Sequence, residues 1–253
     1  MLEIETKNGF FLFQFDHPKA DQTAFFEPEF WQKKNRTLGF AQGRGKTWFL
    51  ETKDIFGINT ALRHYYRGGL IGKINPDYYW QRKLHKTRSV AEFHLLNQLH
   101  QAGLPVPKPI GARVKKNRLG FYRADLLMEL VENAEDLTVY LKKNTLSNMQ
   151  WFQIGTLIRK LHNHQVCHSD LNAHNILLQQ AEYGAKFWLL DFDKCHLKKG
   201  DRWKEANLQR LQRSFYKEVD RLEIHFNEDN WQTLMAGYRT STTFVPLSIQ
   251  ENH

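Results

Sequence analysis

The first half of the chain sets short apolar runs between glycines, and the second half repeats its apolar residues at helical spacing. Phe10 to Phe15 is an apolar, aromatic run that predicts a buried strand. Leu38 to Gln42 and Lys46 to Leu50 flank Gly43-Arg44-Gly45, which predicts strand, glycine turn, strand. Thr60 to Tyr66 predicts another strand after Gly57, and Gly68, Gly69 and Gly72 mark a loop beyond it. A short helix opens near Pro28. From Ser89 the period changes: Val90, Phe93, Leu96 and Leu99 share a helical face that Gly103 and Pro105 close. Strands follow at Ile110 to Val114 and Phe121 to Val131. The pattern then predicts helices over Leu137 to Lys142, Met149 to Gln165, Asn207 to Phe226 and Trp231 to Tyr238. This order predicts an α+β fold of two lobes, β-rich over residues 1–130 and mainly helical over residues 131–253.

A chain of 253 residues with 41% hydrophobic content supports a packed core and argues against disorder away from the ends. Lys and Arg outnumber Asp and Glu by 36 to 27, a formal net charge of +9. Such a surplus favours an anionic partner (a nucleotide, a nucleic acid or an acidic lipid surface) or simply covers a solvated basic face. Met1-Leu2-Glu3-Ile4-Glu5 lacks the basic start and apolar core of an export signal, and apolar runs such as Leu126-Leu127-Met128 are far too short to span a bilayer. Any membrane role is therefore expected to be peripheral. Cys167 and Cys195 are each followed by His, which allows a zinc site, but two buried thiols in a reducing compartment is the preferred reading.

The chemistry concentrates in His168-Ser169-Asp170-Leu171-Asn172-Ala173-His174-Asn175 and in Asp191-Phe192-Asp193. A phosphoryl-transfer site needs a carboxylate to accept the proton of an attacking hydroxyl and hard oxygen ligands for Mg²⁺. Asp170 is the candidate base, and Asn175 and Asp191 are the candidate metal ligands. Ile176-Leu177-Leu178 and Phe187-Trp188-Leu189-Leu190 predict two strands joined by a polar turn around Gly184. That hairpin would return Asp191 to Asn175. His168 is expected to hold the loop structurally.

Such a site also needs a cover over the phosphates and a cation upon them. Gly43, Arg44 and Gly45 are candidates for the first, although glycines between strands are often only a hairpin turn. Arg63, in Thr60-Ala61-Leu62-Arg63, is the candidate phosphate cation, with surface placement as its alternative. Glu92, on the first helix after that strand, is its candidate acid partner or a solvated glutamate. Met128-Glu129 ends a strand where backbone groups are placed to meet an adenine edge, unless it is a plain core strand.

With these residues assembled, the chain resembles the protein-kinase-like superfamily and, within it, the lipopolysaccharide core kinases that phosphorylate 3-deoxy-D-manno-octulosonic acid (Kdo). The likeness is carried by Gly43-Arg44-Gly45, Leu62 to Gly69, Leu104-Pro105-Val106-Pro107, His168 to Asn175, Asp191 to Cys195 and Trp203 to Ser214. Its most specific parts are the arginine strand with its double glycine and Asn207-Leu208-Gln209-Arg210-Leu211. The resemblance implies a bilobal protein-kinase-like fold, ATP and Mg²⁺, and transfer to the 4-hydroxyl of a Kdo sugar on Kdo-lipid A. It also implies a peripheral place on the cytoplasmic side of the bacterial inner membrane, an anionic surface. No nucleic acid or protein partner is implied. Arg67, Lys73 and Arg88, with Arg82 and Lys83 nearby, are candidates for binding the acceptor, though each alone reads equally as a solvated charge.

Several positions depart from the protein-kinase pattern. Ser169 replaces the arginine that many protein kinases carry after the catalytic His, and Asn172 stands where they have Lys. Lys194 and Arg44 are the candidates to supply the missing charge. Asp193 takes the glycine place of Asp-Phe-Gly and is a candidate second metal ligand or a cap. The short stretch after Asp193 leaves no space for a long activation loop, which argues for a small or glycolipid acceptor. Alternatives are a heptose or other sugar kinase, an antibiotic phosphotransferase, and a silent nucleotide- or nucleic-acid-binding module. Three intact residues, Asp170, Asn175 and Asp191, weigh against the last.

Overall fold

A computed structural model of the chain describes residues 1–7, 9–15, 20–43, 45–67, 77–80, 83–117, 119–181 and 184–240. It divides into two compact units, Met1–Asn97 with Pro107–Leu130, and Gln98–Val106 with Val131–His253.

The first unit is built on an antiparallel sheet. Its strands are β1 (Leu2–Thr6), β2 (Gly9–Phe13), β3 (Thr37–Gln42), β4 (Lys46–Leu50), β5 (Thr60–His64), β6 (Tyr79–Trp80), β7 (Pro109–Lys116) and β8 (Phe121–Glu129). The order is β1-β2-β7-β8-β5-β4-β3, with β6 also paired to β8. β2 is buried along its whole length, as its unbroken apolar sequence demands. Phe11 and Phe13 pack with Phe25, Phe26, Trp31, Leu50, Leu62, Ile110 and Leu127 in one core. The short helix α1 (Pro28–Lys33) begins at the predicted proline, and Trp31 on it is fully buried, its Nε1–H donating to the Phe25 carbonyl at 2.8 Å. A single turn, α2 (Lys53–Phe56), follows β4 and ends at Gly57, whose φ is +77°. Helix α3 (Arg88–Gln101) follows β6, and Gly103 beyond it is left-handed, as its place after the last periodic residue predicts. The alternation of Leu2-Glu3-Ile4-Glu5 marks β1, an element absent from the sequence reading, with Leu2 and Ile4 against the core.

The second unit is mainly helical. Helix α4 (Leu137–Leu141) is capped by Asp136, which accepts from the Thr138 N–H. Helix α5 (Asn148–Asn163) opens on a reciprocal Ser147–Gln150 cap. Helices α6 (Arg202–Leu222) and α7 (Glu228–Arg239) complete it. α6 starts five residues before its predicted Asn207, because Trp203 already belongs to its buried face. It stops at Glu223, left-handed at φ 57°, short of the predicted Phe226. Trp151, Phe215 and Phe226 form an aromatic cluster with centroids 4.6–5.5 Å apart. Strand β9 (Ala134–Asp136) pairs with β11 (Ile176–Ala181), which pairs with β12 (Gly184–Leu189), while β10 (Val166–Cys167) pairs with β13 (His196–Leu197). Among the described residues no helix is long and apolar enough to cross a membrane.

Candidate active site

The hairpin predicted around Gly184 is β11–β12, pairing Ile176 with Leu189. One more bond extends it, from the Leu190 N–H to the Asn175 carbonyl at 2.9 Å. Asp191, the next residue, therefore leaves the hairpin beside Asn175. Its φ of 58° lies in the left-handed region, uncommon for a residue with a side chain. Phe192 behind it is buried and meets the His168 ring edge-on at 5.0 Å. The Ser169 hydroxyl donates to the Asp193 carbonyl at 2.7 Å, tying the two segments together. Cys195 and Cys167 are free and half-buried, not fully buried as the sequence suggested, and Cys195 Sγ accepts from the Ser169 N–H at 3.3 Å.

The loop before the hairpin is closed by its own side chains. Asn172 accepts from the Asn175 N–H at 3.1 Å and donates from Nδ2 to the Asp170 carbonyl at 3.2 Å. Asn175 donates from Nδ2 to the same carbonyl at 2.8 Å, so its Oδ1 is the end turned away from that bond. His168 lies between two groups of opposite need. Its Nε2 sits 2.9 Å from the Leu190 carbonyl, which only accepts, and its Nδ1 sits 3.3 Å from the Asp170 N–H, which only donates. A neutral ring with hydrogen on Nε2 satisfies both. Burial pushes the His168 pKa down and keeps it neutral, the bond to Leu190 opposing only in part.

Helix α6 lies along this loop and was not anticipated as part of the site. Asn207 Nδ2 donates to the His168 carbonyl at 2.9 Å, and its Oδ1 accepts from the His168 N–H at 3.2 Å. Arg210 Nη1 is 3.8 Å from Asp170 Oδ1. Ser214 Oγ accepts from the Ala173 N–H at 3.0 Å. Glu218 Oε1 is 3.3 Å from His174 Nε2, whose Nδ1 is 2.8 Å from Asp136. The signal for these contacts was present as the Asn207 to Ser214 stretch, but their partners lie about forty residues away.

In the first unit Arg63 Nη2 and Glu92 Oε2 are 2.5 Å apart. The Tyr65 hydroxyl, missed in the sequence, donates to the same oxygen at 2.6 Å. Burial, and then the Glu92 charge, push the Tyr65 pKa well above its usual range, so the phenol stays protonated. Gly43 and Gly45 form the turn between β3 and β4, with the Gly43 N–H donating to the Gly45 carbonyl at 3.0 Å. That N–H is thus already used. A Cβ on Gly45 would lie 1.9 Å from the Tyr66 ring, so close packing of Tyr66 is one reason for glycine there. Met128 pairs with Ala61, and Glu129 is committed to Lys108, donating its N–H to the Lys108 carbonyl at 2.8 Å and accepting the Lys108 N–H on Oε2 at 3.0 Å. Arg67 Nε donates to the Tyr78 carbonyl at 2.7 Å, and the Arg67 and Arg88 guanidiniums lie 4.7 and 4.6 Å from the Tyr79 ring centre. Arg44, Lys73, Arg82 and the glycines at 68, 69 and 72 lie outside the described residues.

Residues 28–238 match the model of the "Lipopolysaccharide kinase (Kdo/WaaP) family". The chain is 62% identical over 239 residues to the 3-deoxy-D-manno-octulosonic acid kinase of Pasteurella multocida, covering 94% of this chain and 100% of that one. It is 60% identical to the Actinobacillus succinogenes enzyme of the same name, again over 94% of this chain and 100% of that one. It is 47% identical to that of Vibrio vulnificus, over 87% of this chain and 91% of that one. A solved structure of WaaP in complex with acyl carrier protein is similar at a TM-score of 0.56 and 11% identity, over 90% of this chain and 88% of that one. At that identity the likeness carries the fold, which is protein-kinase-like. The chain belongs to the lipopolysaccharide kinase (Kdo/WaaP) family.

Proposed function

We propose that this protein transfers the γ-phosphoryl group of ATP to the 4-hydroxyl of a Kdo residue on Kdo-lipid A. The observation that supports the reading is the bond from the Leu190 N–H to the Asn175 carbonyl, after which Asp191 is the next residue in the chain. The relatives at about 60% identity along almost the whole chain support the choice of acceptor.

The donor set suits Mg²⁺. One amide oxygen, on the end of the Asn175 amide away from the Nδ2 that the Asp170 carbonyl holds, and one carboxylate would leave most positions to water and phosphate oxygens. Bound there, Mg²⁺ supplies neutralisation of the charge on the transferring group. Asp170 orients the sugar hydroxyl. As its oxygen bonds to the γ-phosphorus, the bond to the bridging oxygen of ADP breaks, and Asp170 takes the hydroxyl proton. Arg63, held by Glu92 and Tyr65, binds the nucleotide phosphates as a fork. The glycine turn at Gly43 and Gly45, with Arg44, covers them, and the adenine is met by backbone at the Met128-Glu129 strand end other than the Glu129 N–H, which Lys108 already holds. Arg67 and Arg88, splinted on Tyr79, and Lys73 bind the acidic acceptor. The excess of 36 basic over 27 acidic residues supports peripheral work on an anionic inner-membrane surface.

Purified protein given labelled ATP with Kdo-lipid A, or with lipid A lacking Kdo, tests this. Transfer only to the Kdo-bearing lipid is expected, with Asp170→Ala and Asp191→Ala folded but inactive. Equal transfer to both lipids, or near-normal turnover by Asp170→Ala, overturns it.

A further inference from the structure

Asn207, Arg210, Ser214 and Glu218 are spaced three, four and four residues apart, so they share one face of α6. They meet His168, Asp170, Ala173 and His174 in that same order. Three of these contacts have an evident structural use, since they satisfy backbone groups or join a histidine to a buried carboxylate. The fourth does not. Arg210 and Asp170 are half exposed, at 50% and 48%, and an ion pair between such groups adds little to stability.

The loop has a vacancy that this arginine matches. Asn172 stands where a catalytic-loop cation is found in protein kinases, and its amide is spent on closing the loop between Asp170 and Asn175. Charge builds on the phosphoryl oxygens during transfer, and a cation fixed beside the base is the usual means of offsetting it. The rigid helix holds Arg210 at that place, on the carboxylate that orients the attacking hydroxyl. Lys194, the other described candidate, sits on an exposed left-handed turn and has no such mooring.

We infer that Arg210 is the phosphoryl-stabilising cation of this enzyme, supplied by α6 in place of the lysine that the catalytic loop lacks. The inference rests on the kinase reading above. The guanidinium bridges Asp170 and the γ-phosphoryl oxygens during transfer, and its contribution is to turnover more than to the binding of either substrate.

The test uses Arg210→Gln, Arg210→Lys and Gln209→Ala in the full chain, with kcat and KM for ATP and for Kdo-lipid A, acceptor-independent ATP hydrolysis, and Tm. Arg210→Gln is expected to lower kcat about a hundredfold, the scale of losing one preorganised charge, while both KM values and Tm hold. Arg210→Lys recovers at least about tenfold of that loss, because a point charge replaces a fork imperfectly. Gln209→Ala, exposed and next in the chain, changes nothing. The assignment is overturned if Arg210→Gln keeps wild-type kcat, if its effect is confined to KM, or if Gln and Lys variants lose kcat equally together with Tm. If the wild type hydrolyses ATP in an Arg210-dependent way but transfers nothing to Kdo-lipid A, the acceptor reading fails and Arg210 keeps its role.

Discussion

Glu92 Oε2 stands 2.5 Å from Arg63 Nη2 and at the same time receives the Tyr65 hydroxyl at 2.6 Å. One buried carboxylate oxygen thus fixes a guanidinium and is itself fixed by a phenol from the same strand end. Glu92→Ala removes the carboxylate that Arg63 faces and should cost about 3 kcal/mol of stability, the scale for opening a buried pair. Its KM for ATP should rise steeply. Tyr65→Phe keeps the pair and loses one hydrogen bond, about 1 kcal/mol, with a smaller KM change. Thermal unfolding with ATP titrations checks the order. A Tyr65→Phe variant with the Tm and the KM for ATP of the wild type would remove Tyr65 from the arrangement.

Asn207 serves both backbone groups of His168 with one amide. In Asn207→Ala the buried N–H and carbonyl lose their partner together, which predicts a loss on the order of 3 kcal/mol. Asn207→Asp should keep the acceptor half alone and fall in between. Denaturant unfolding of the three proteins gives the comparison, and an Asp variant as stable as wild type would contradict it.

Two histidines should impose opposite pH slopes. Burial pushes His162 down to about 4 from a usual 6.5, the hydrogen bond to Asn207 only partly opposing it. The unfolded chain then binds the extra proton first, so stability is complete above about pH 6.5 and falls as pH drops toward 4, by about 3 kcal/mol in all. His64 has the reverse sign. Burial works against its charge, but Asp125 at 2.7 Å and Asp77 at 3.2 Å outweigh that and hold its pKa above 6.5. Its contribution is present below pH 6.5 and is lost as pH rises through the raised value. Tm profiles of His162→Gln and His64→Gln against wild type should lose, respectively, the acid-side and the alkaline-side slope.

Helices α5 and α7 cross at paired glycines. A Cβ on Gly155 would lie 1.8 Å from the Leu234 carbonyl oxygen, and one on Gly237 would lie 2.0 Å from that of Phe152. Backbone cannot yield as a flexible side chain can, so either Gly→Ala change should force the helices apart and cost about 3 kcal/mol or more. A drop in Tm of either variant, without a shift in the apparent KM of whatever folded fraction remains, is the expected result.

Much of this was legible in the chain where the relevant interaction is local. The β11–β12 hairpin was readable because two apolar runs flank a glycine turn, and its ladder necessarily returns Asp191 to Asn175. The cap at Gly103 and the start of α1 at Pro28 follow from backbone preferences of single residues. The order of Arg63 before Glu92 suggested a pair because Glu92 lies on the first helix predicted after the Arg63 strand.

The amino-acid order by itself therefore determined most of the strands and helices and their succession, and it singled out Asp170, Asn175 and Asp191 as candidates. Only the tertiary structure decided that Tyr65 shares Glu92 with Arg63, that Tyr66 sets the need for Gly45, that His64 stands between two acids, and that α6 lays Asn207, Arg210, Ser214 and Glu218 along the loop. The reason is physical. Periodicity and caps are imposed by steric and hydrogen-bond rules acting within a few residues. Contacts across forty residues arise from the packing of whole faces, whose register no short stretch of chain specifies.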